Sequence, residues 1–168
     1  MIKPRTETPD LSINLVNGTT WTLSEQHPEH FTMLVVYRGK HCPVCKTYLE
    51  TIQKHIEDFK SKGVNVIAIS SDTKEIAEAT YNDWAIDDVP LGYNFSIDEA
   101  RSWGLFISKG IKDEPDTFIE PGLFLIRPDR TLYAESIQSM PFARPEIKAI
   151  LGSIDFVVNK EYPARGEA

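Results

Sequence analysis

The sequence has few of the features that mark membrane, secreted or nucleic-acid-binding proteins. No apolar run approaches the length of a membrane span, and residues 1–10 lack the apolar stretch of an export signal. Basic residues are outnumbered by acidic ones, 18 against 25, for a net charge of -7. That balance argues against nucleic acid or an anionic membrane as the main partner. With no signal for export, the cytoplasm is the expected location.

Cysteine is scarce, since Cys42 and Cys45 are the only two in the chain. A zinc site of four ligands would also need two of the four histidines, which are His27, His30, His41 and His55. Lysine follows Cys45, so the pair is not a haem-attachment motif. In a reducing cytoplasm, paired thiols are more often a working couple than a structural disulfide. We therefore expect dithiol chemistry with no cofactor or metal, and the alternative is two cysteines buried as inert packing.

The composition is that of an ordinary globular protein. The 168 residues are 41% hydrophobic and 26% charged, which is enough to bury a substantial core. No internal repeat or low-complexity segment divides the chain. We predict a single domain that spans residues 1–168.

The two cysteines fall where a predicted strand passes into a predicted helix. Residues 33–37 form a short apolar run typical of a buried strand, and a helical pattern begins at Cys42. Pro43 suits the first helical position, where an N–H is not needed. Cys42 is then at or next to the N-cap, and the Cβ atom of Cys45 lies roughly 5 to 6 Å away, one turn further along. The free N–H groups and partial positive charge of a helix start stabilise a thiolate.

Basic residues surround the cysteines in the sequence. Arg38, Lys40, His41 and Lys46 lie within a stretch of nine residues that contains no acid. Such a cluster predicts thiol pKa values below the usual value of about 8.5, toward roughly 4 to 7. His41 has two interpretations: it tunes the thiolate by its charge, or it packs beside the helix start.

The remaining segments alternate between strand and helix patterns. In chain order we predict a hairpin at 11–23, the strand at 33–37, a helix from 42 to about 62, a strand at 64–70, a helix at 74–84, an extended stretch at 89–97, a helix capped by Asp98 and ending at Trp103, a surface loop at 104–120, a hairpin at 122–137 and a helix at 147–158. The strand, helix and strand over residues 33–70 predict a right-handed unit with parallel strands.

This order, with Cys-x-x-Cys at its first strand-helix junction, resembles the thioredoxin fold. It resembles most the peroxiredoxin branch, the alkyl hydroperoxide reductase and thiol-specific antioxidant proteins. Residues 9–11 resemble the peroxiredoxin opening, residues 34–37 the strand before its active site, and residues 131–137 the strand after its Asp-Gly turn, with Arg130 here in place of the glycine. The resemblance implies an α/β protein with a thioredoxin-like fold, in which helices flank a central mixed β-sheet with an added N-terminal β-hairpin.

The cysteines fit two motifs of this superfamily. Against the peroxiredoxin motif Pro-x-x-x-Thr-x-x-Cys, Cys45 matches the peroxidatic cysteine, Cys42 replaces the threonine and Arg38 replaces the proline. Against the thioredoxin motif Cys-Gly-Pro-Cys, Cys42 is the attacking thiol and Cys45 the resolving one. Pro121 lies where thioredoxins carry their cis-proline, and the arginine that peroxiredoxins usually place near that point is absent. Arg38 or Arg144 is the candidate replacement.

Arg144 lies in the segment Met140-Pro-Phe-Ala-Arg-Pro145, which has two interpretations. Arg144 reaches the thiols as the missing cation, or Pro145 begins the last helix and Phe142 anchors the segment. The sequence favours the second interpretation.

The resemblance implies a thiol-dependent antioxidant oxidoreductase that reduces peroxides through a Cys42/Cys45 dithiol-disulfide couple. Its partners would be a peroxide and a reductant such as a thioredoxin or a low-molecular-weight thiol, and a homodimer is compatible with it. One alternative is a thioredoxin-like reductase of protein disulfides, with Cys42 attacking and Cys45 resolving. Another is a non-catalytic redox-sensing interaction module. Which cysteine attacks first stays open.

Overall fold

The strand Phe31–Val36 lies at the centre of the structure, and all of its residues are buried. The structure is a computed structural model that describes residues 1–168. A strand covered on both faces needs apolar residues throughout, which explains the unbroken apolar run here. The predicted strand at residues 33–37 is therefore confirmed, with its bounds shifted toward the N-terminus.

Nine strands and five α-helices make up the fold. The strands are β1 (Ser12–Leu15), β2 (Thr20–Thr22), β3 (Phe31–Val36), β4 (Val64–Ile69), β5 (Leu91–Tyr93), β6 (Ile107–Lys109), β7 (Thr117–Ile119), β8 (Gly122–Ile126) and β9 (Leu132–Ile137). The helices are α1 (Pro43–Lys54), α2 (Ile56–Ser61), α3 (Lys74–Asp83), α4 (Ile97–Ser102) and α5 (Ile147–Asn159).

Seven strands form one mixed sheet in the order β2-β1-β5-β4-β3-β8-β9. β3, β4 and β5 are parallel neighbours, as the strand-helix-strand pattern predicts, while β8 and β9 add an antiparallel hairpin. The N-terminal hairpin joins the same sheet, because β1 pairs with β5. The predicted α/β fold with a central mixed sheet and an added N-terminal hairpin is confirmed.

A hydrophobic core lies on each face of this sheet. The first core contains both cysteines together with Tyr37, Leu49 of α1 and Trp84. The second contains Leu34, Trp103 and Phe124. Alternate residues of β3 point into opposite cores, so the strand that leads to the cysteines is fixed from both sides. Trp84 and Trp103 are core residues, with 6% and 1% of their surfaces exposed.

Three predictions about local structure need correction. The helix that begins after Cys42 stops at Lys54 and restarts at Ile56, because His55 leaves helical geometry with ψ 11°. The helix predicted to start at Asp98 is capped by Ser96 instead, whose hydroxyl and Glu99 form a reciprocal capping box.

The third correction concerns residues 104–120, which we predicted to be a surface loop. They contain the antiparallel pair β6 and β7, with Phe118 and Ile119 buried. These strands are only three residues each, so the alternation that predicts strands is too short to stand out.

None of the helices in the structure is long and apolar enough to cross a bilayer.

Candidate active site

The two thiols lie at the start of α1, directly after β3 and a short loop. Cys42 is the N-cap, and its sulfur accepts a hydrogen bond from the backbone N–H of Cys45 at 3.3 Å. Pro43 occupies the first helical position, as predicted. Both cysteines are free, with 1% and 0% of their surfaces exposed. The predicted placement at a helix N-terminus is therefore seen, although the pair is more buried than a surface redox motif.

The environment separates the pKa values of the two thiols. The Cys45 thiol hydrogen-bonds to the Cys42 sulfur and lowers the pKa of Cys42 to about 6, and the backbone N–H of Cys45 and the side chain of Arg38 add to this effect. Burial, followed by that same hydrogen bond to Cys42, raises the pKa of Cys45. At neutral pH the pair therefore holds one negative charge, on Cys42, and one proton, on Cys45. Our expectation of lowered pKa values for both thiols is correct for Cys42 alone.

Arg144 reaches the thiols from the other end of the sequence. Its Nη2 donates to the Cys45 sulfur at 2.8 Å, and its Nε donates to the carbonyl of Pro141 at 2.7 Å. Its guanidinium carbon lies 5.0 Å from the centre of the Tyr48 ring, and the Tyr48 hydroxyl donates to the Pro145 carbonyl at 2.8 Å. The structure therefore shows the interpretation that the sequence favoured less, in which Arg144 reaches the thiols.

Arg38 lies on the loop that precedes Cys42, between two carboxylates. Its Nη2 is 3.1 Å from Glu114 and its Nε is 3.3 Å from Glu120. The guanidinium also stacks on Phe118, at 4.4 Å from the ring centre. Glu114, Phe118 and Glu120 come from the hairpin region that we predicted to be a loop. In the sequence, only the high charge of that region pointed to them.

The predicted cationic cluster is largely neutralised by acids from distant segments. Besides the two carboxylates on Arg38, Lys40 pairs with Asp83 of α3. Lys46 lies 3.9 Å from Glu50 on the next turn of α1. Counting charges along nine residues therefore overstated the positive field at the thiols, because Asp83 and the two carboxylates on Arg38 are brought near only by the fold and Glu50 lies just beyond the nine.

His41 packs against Phe118, with 4.8 Å between the ring centres. Burial, and then the neighbouring Arg38, lowers the pKa of His41. The imidazole is therefore neutral near pH 7, which disfavours the interpretation that it stabilises a thiolate by its charge.

Asp72, which follows β4, holds the loop that carries Arg38. Its carboxylate accepts the N–H of Lys40 at 2.9 Å, and a Cβ atom on Gly39 would lie only 2.6 Å from its Oδ1. Gly39 has φ 131°, a conformation that essentially requires glycine. Thr73, the next residue, caps α3, and its hydroxyl accepts the backbone N–H of Ile76.

Unpaired polar atoms concentrate around the thiols. Seven buried side-chain nitrogen or oxygen atoms lack a hydrogen-bond partner, and six of them belong to Tyr37, Arg38, His41, Glu120 and Arg144. Arg38 Nε and Glu120 Oε2 face each other as an ion pair at 3.3 Å, so among these six the atoms with no partner of either kind belong to Tyr37, His41 and Arg144. Buried polar atoms are normally paired, so a concentration of exceptions indicates a place where a small polar molecule binds. No group of three or more His, Cys, Asp or Glu side chains converges as metal ligands do.

Pro121 begins the segment that leads into β8, next to Glu120. Its carbonyl accepts the N–H of Gln138 at 2.9 Å. All peptide bonds in the chain are trans, so Pro121 differs from the cis-proline of thioredoxins whose place it was predicted to take.

Comparison with known proteins identifies the family. Residues 4–135 match the AhpC/TSA family, which is well over half of the chain. The chain belongs to the AhpC/TSA family. Members of this family, the peroxiredoxins, are enzymes that reduce peroxides with thiols, and the resemblance seen in the sequence is confirmed. No curated protein matches the chain at a significant level.

Solved peroxiredoxin structures share the AhpC/TSA fold seen here. AhpC of Mycobacterium tuberculosis is 13% identical with a TM-score of 0.78, and the match covers 98% of this chain and 97% of that one. Peroxidoxin BcpB from the same organism is 16% identical with a TM-score of 0.76, covering 94% and 99%. Yeast mitochondrial 1-Cys peroxiredoxin is 16% identical with a TM-score of 0.79, covering 96% and 78%. At these identities the likeness extends to the fold alone.

Proposed function

We propose that this chain is a thiol peroxidase in which Cys42 attacks the peroxide and Cys45 resolves the product. One observation carries the proposal: the Cys42 sulfur caps α1 and accepts hydrogen bonds from Cys45, with its pKa at about 6. A thiolate at neutral pH is the nucleophile that peroxide reduction needs. The family motif would instead place Cys45 first, but its raised pKa leaves that sulfur protonated.

The proposed cycle has three balanced steps. The Cys42 thiolate attacks the peroxide ROOH, the O–O bond breaks, and Cys42 sulfenic acid and the alcohol ROH form after uptake of one proton. The Cys45 thiol then condenses with the sulfenic acid to give the Cys42–Cys45 disulfide and water. Two external thiols reduce that disulfide and are themselves oxidised to a disulfide, which restores both cysteines.

Arg144 takes the role of the cation that polarises the peroxide. Its Nη2 is bound to the Cys45 sulfur, while its Nη1 is buried without a partner. A donor held beside the sulfurs can hydrogen-bond the oxygen that becomes negative as the O–O bond breaks. This is the function that peroxiredoxins require of an arginine, supplied here from the segment before α5.

The reductant is a thioredoxin or a low-molecular-weight thiol, and the cytoplasm is the proposed location because such thiols stay reduced there. In the yeast mitochondrial 1-Cys peroxiredoxin, the thiol is resolved via the glutathione and thioredoxin systems. Phe106, which precedes β6, and Phe142, in the segment before α5, are 52% and 74% exposed. Such exposed apolar residues fit a homodimer, which sedimentation or size-exclusion chromatography would detect.

The test is mass spectrometry after one equivalent of hydrogen peroxide, applied to the single variants Cys42→Ser and Cys45→Ser. We expect sulfenic acid on Cys42 in the Cys45→Ser variant and unmodified Cys45 in the other. The wild-type chain should lose two mass units as the disulfide forms. Sulfenic acid on Cys45 alone would reverse the assigned order, and slow oxidation of every form would refute peroxidase activity.

A further inference from the structure

We propose that Glu120 is a positioning residue for the thiol centre, and that it acts through Arg38. The proposal rests on the proposed function only in taking Cys42 as the thiolate of the resting enzyme. Its test is a thiol titration, which gives an answer whether or not peroxide is the substrate.

Glu120 is an acid that the protein buries, with 4% of its side chain exposed. Its Oε1 accepts the hydroxyl of Ser108 in β6 at 2.6 Å, and its Oε2 lies 3.3 Å from Arg38 Nε. A carboxylate removed from water is destabilising unless a cation and hydrogen bonds compensate. Arg38 supplies that cation, so Glu120 and Arg38 fix each other.

The two carboxylates determine which part of Arg38 is available to the thiols. A guanidinium is a rigid, planar group whose N–H bonds point in fixed directions. Glu120 faces Nε and Glu114 faces Nη2, while the plane stacks on Phe118. Nη1 is then the nitrogen without a carboxylate. Arg38 lies four residues before Cys42 on the same loop, and its side chain is one of the groups that lower the pKa of Cys42.

Glu120 is better placed than Glu114 to hold this orientation. Glu114 lies in a surface turn, where its side chain is 24% exposed and also accepts the N–H of Ile111 at 3.1 Å. Glu120 directly follows β7 and is buried between Ser108 and Arg38. The buried Glu120 carboxylate therefore holds the Nε edge of Arg38 as an ion pair without a hydrogen bond, and the partly exposed Glu114 adds the hydrogen bond to Nη2.

The experiment measures thiolate absorbance against pH in the reduced, full-length protein. We expect Glu120→Gln to raise the pKa of the first thiol to titrate, with a thiolate fraction at pH 5 about tenfold below that of the wild type, which corresponds to about one pKa unit. The matched control is Glu135→Gln on β9, because Glu135 also has a buried oxygen without a partner but is not among the residues around the thiols. We expect no shift in that control.

A second pair of variants tests whether Arg38 carries the effect. Arg38→Ala should raise the same pKa, and adding Glu120→Gln to Arg38→Ala should raise it no further. An additive rise in the double variant would overturn the proposal, since Glu120 would then act independently of Arg38.

Two other results for the Glu120→Gln variant would also overturn the proposal that Glu120 positions Arg38. If Glu120 acts only by its negative charge, removing that charge lowers the thiol pKa. If the ion pair is merely structural, the free energy of unfolding falls while the thiol pKa stays unchanged. A raised thiol pKa thus indicates positioning, a lowered one a direct charge effect, and an unchanged one a structural ion pair.

Discussion

At the scale of single residues, the two thiols differ because one caps the helix and the other lies inside the first turn. The Cys42 sulfur accepts hydrogen bonds from the backbone N–H of Cys45 and from the Cys45 thiol. The Cys45 side chain is itself buried in the first core. Arg144 is bound to the Cys45 sulfur and does not offset the burial of that thiol. Nearby positive charge alone therefore does not decide which sulfur is ionised.

The rate of oxidation by hydrogen peroxide should follow the ionisation of Cys42. Below pH 6 the sulfur is a thiol and reacts slowly, and as pH rises through about 6 the rate should increase to a plateau. Stopped-flow tryptophan fluorescence at a series of pH values measures this. Cys45→Ala removes the thiol that hydrogen-bonds to Cys42, so its midpoint should move to higher pH. A wild-type midpoint at the ordinary cysteine pKa would contradict the assignment of Cys42 as the attacking thiolate.

Removal of Arg144 should slow peroxide reduction. We expect Arg144→Ala to lower the second-order rate constant about 100-fold, the usual effect of losing one donor to a developing oxyanion. The control is Arg127→Ala, since Arg127 also stacks on a tyrosine ring at 5.0 Å, but on Tyr133. Stopped-flow measurement should show less than about a twofold change there. Equal rates for both variants would remove Arg144 from the mechanism.

At the scale of elements, the loop of residues 38–41 connects β3 to α1 and sets the thiols in place. The N–H of Tyr37 donates to the carbonyl of Ile69 at 3.0 Å, the N–H of Lys40 donates to Asp72, and the N–H of Cys42 donates to the carbonyl of Gly39 at 3.1 Å. The loop is therefore tied to β4 and to the segment that follows it. Its geometry depends on glycine at position 39, where a side chain would collide with Asp72.

Substitution of Gly39 should damage both stability and the site. Gly39→Ala combines an unfavourable φ with a collision, and we expect it to lower the free energy of unfolding by about 3 kcal/mol. Gly18→Ala is the matched control, because Gly18 has φ 86° with no atom within 4 Å of an added Cβ. It should cost about 1 kcal/mol.

Urea unfolding measures the stability of both glycine variants, and thiol titration measures the site. Only Gly39→Ala should shift the pKa of Cys42, since only that loop carries Arg38. Equal losses of stability in the two variants would show that Asp72 does not constrain the loop.

At the scale of the whole molecule, the sheet joins the two cores. β3 contributes Met33 and Val35 to the first core and Leu34 and Val36 to the second. A strand that packs into both cores couples their stabilities, since losing either exposes one of its faces. We therefore propose that the chain unfolds as one domain.

This proposal predicts a single unfolding transition seen from either core. Trp84 reports on the first core and Trp103 on the second, and Trp21 also packs against the second core. With Trp21→Phe in the background of both, the variants Trp84→Phe and Trp103→Phe each keep a single tryptophan. Within each variant, the midpoints by tryptophan fluorescence and by far-ultraviolet circular dichroism should coincide in urea. A fluorescence midpoint below the circular dichroism midpoint in one variant only would show that the cores unfold separately.

The sequence by itself determined the elements whose signals are local. The apolar run of β3, the helical spacing of α1 with Pro43 at its start, and the N-terminal hairpin at 11–23 all depend on neighbours a few residues away. Local patterns were enough for the fold class, the family resemblance and the helix-capping position of Cys42. They did not show the short strands β6 and β7 or the interruption of the helix at His55.

Only the tertiary structure decided the electrostatics of the site. Arg144 lies 99 residues from Cys45 in sequence and 2.8 Å from it in space, and Glu114 and Glu120 reach Arg38 from a hairpin that the sequence did not reveal. Coulomb and hydrogen-bond energies depend on distance through space and on burial, which sequence spacing does not specify. For this reason the pair of cysteines could be found in the sequence, while the difference between them could not.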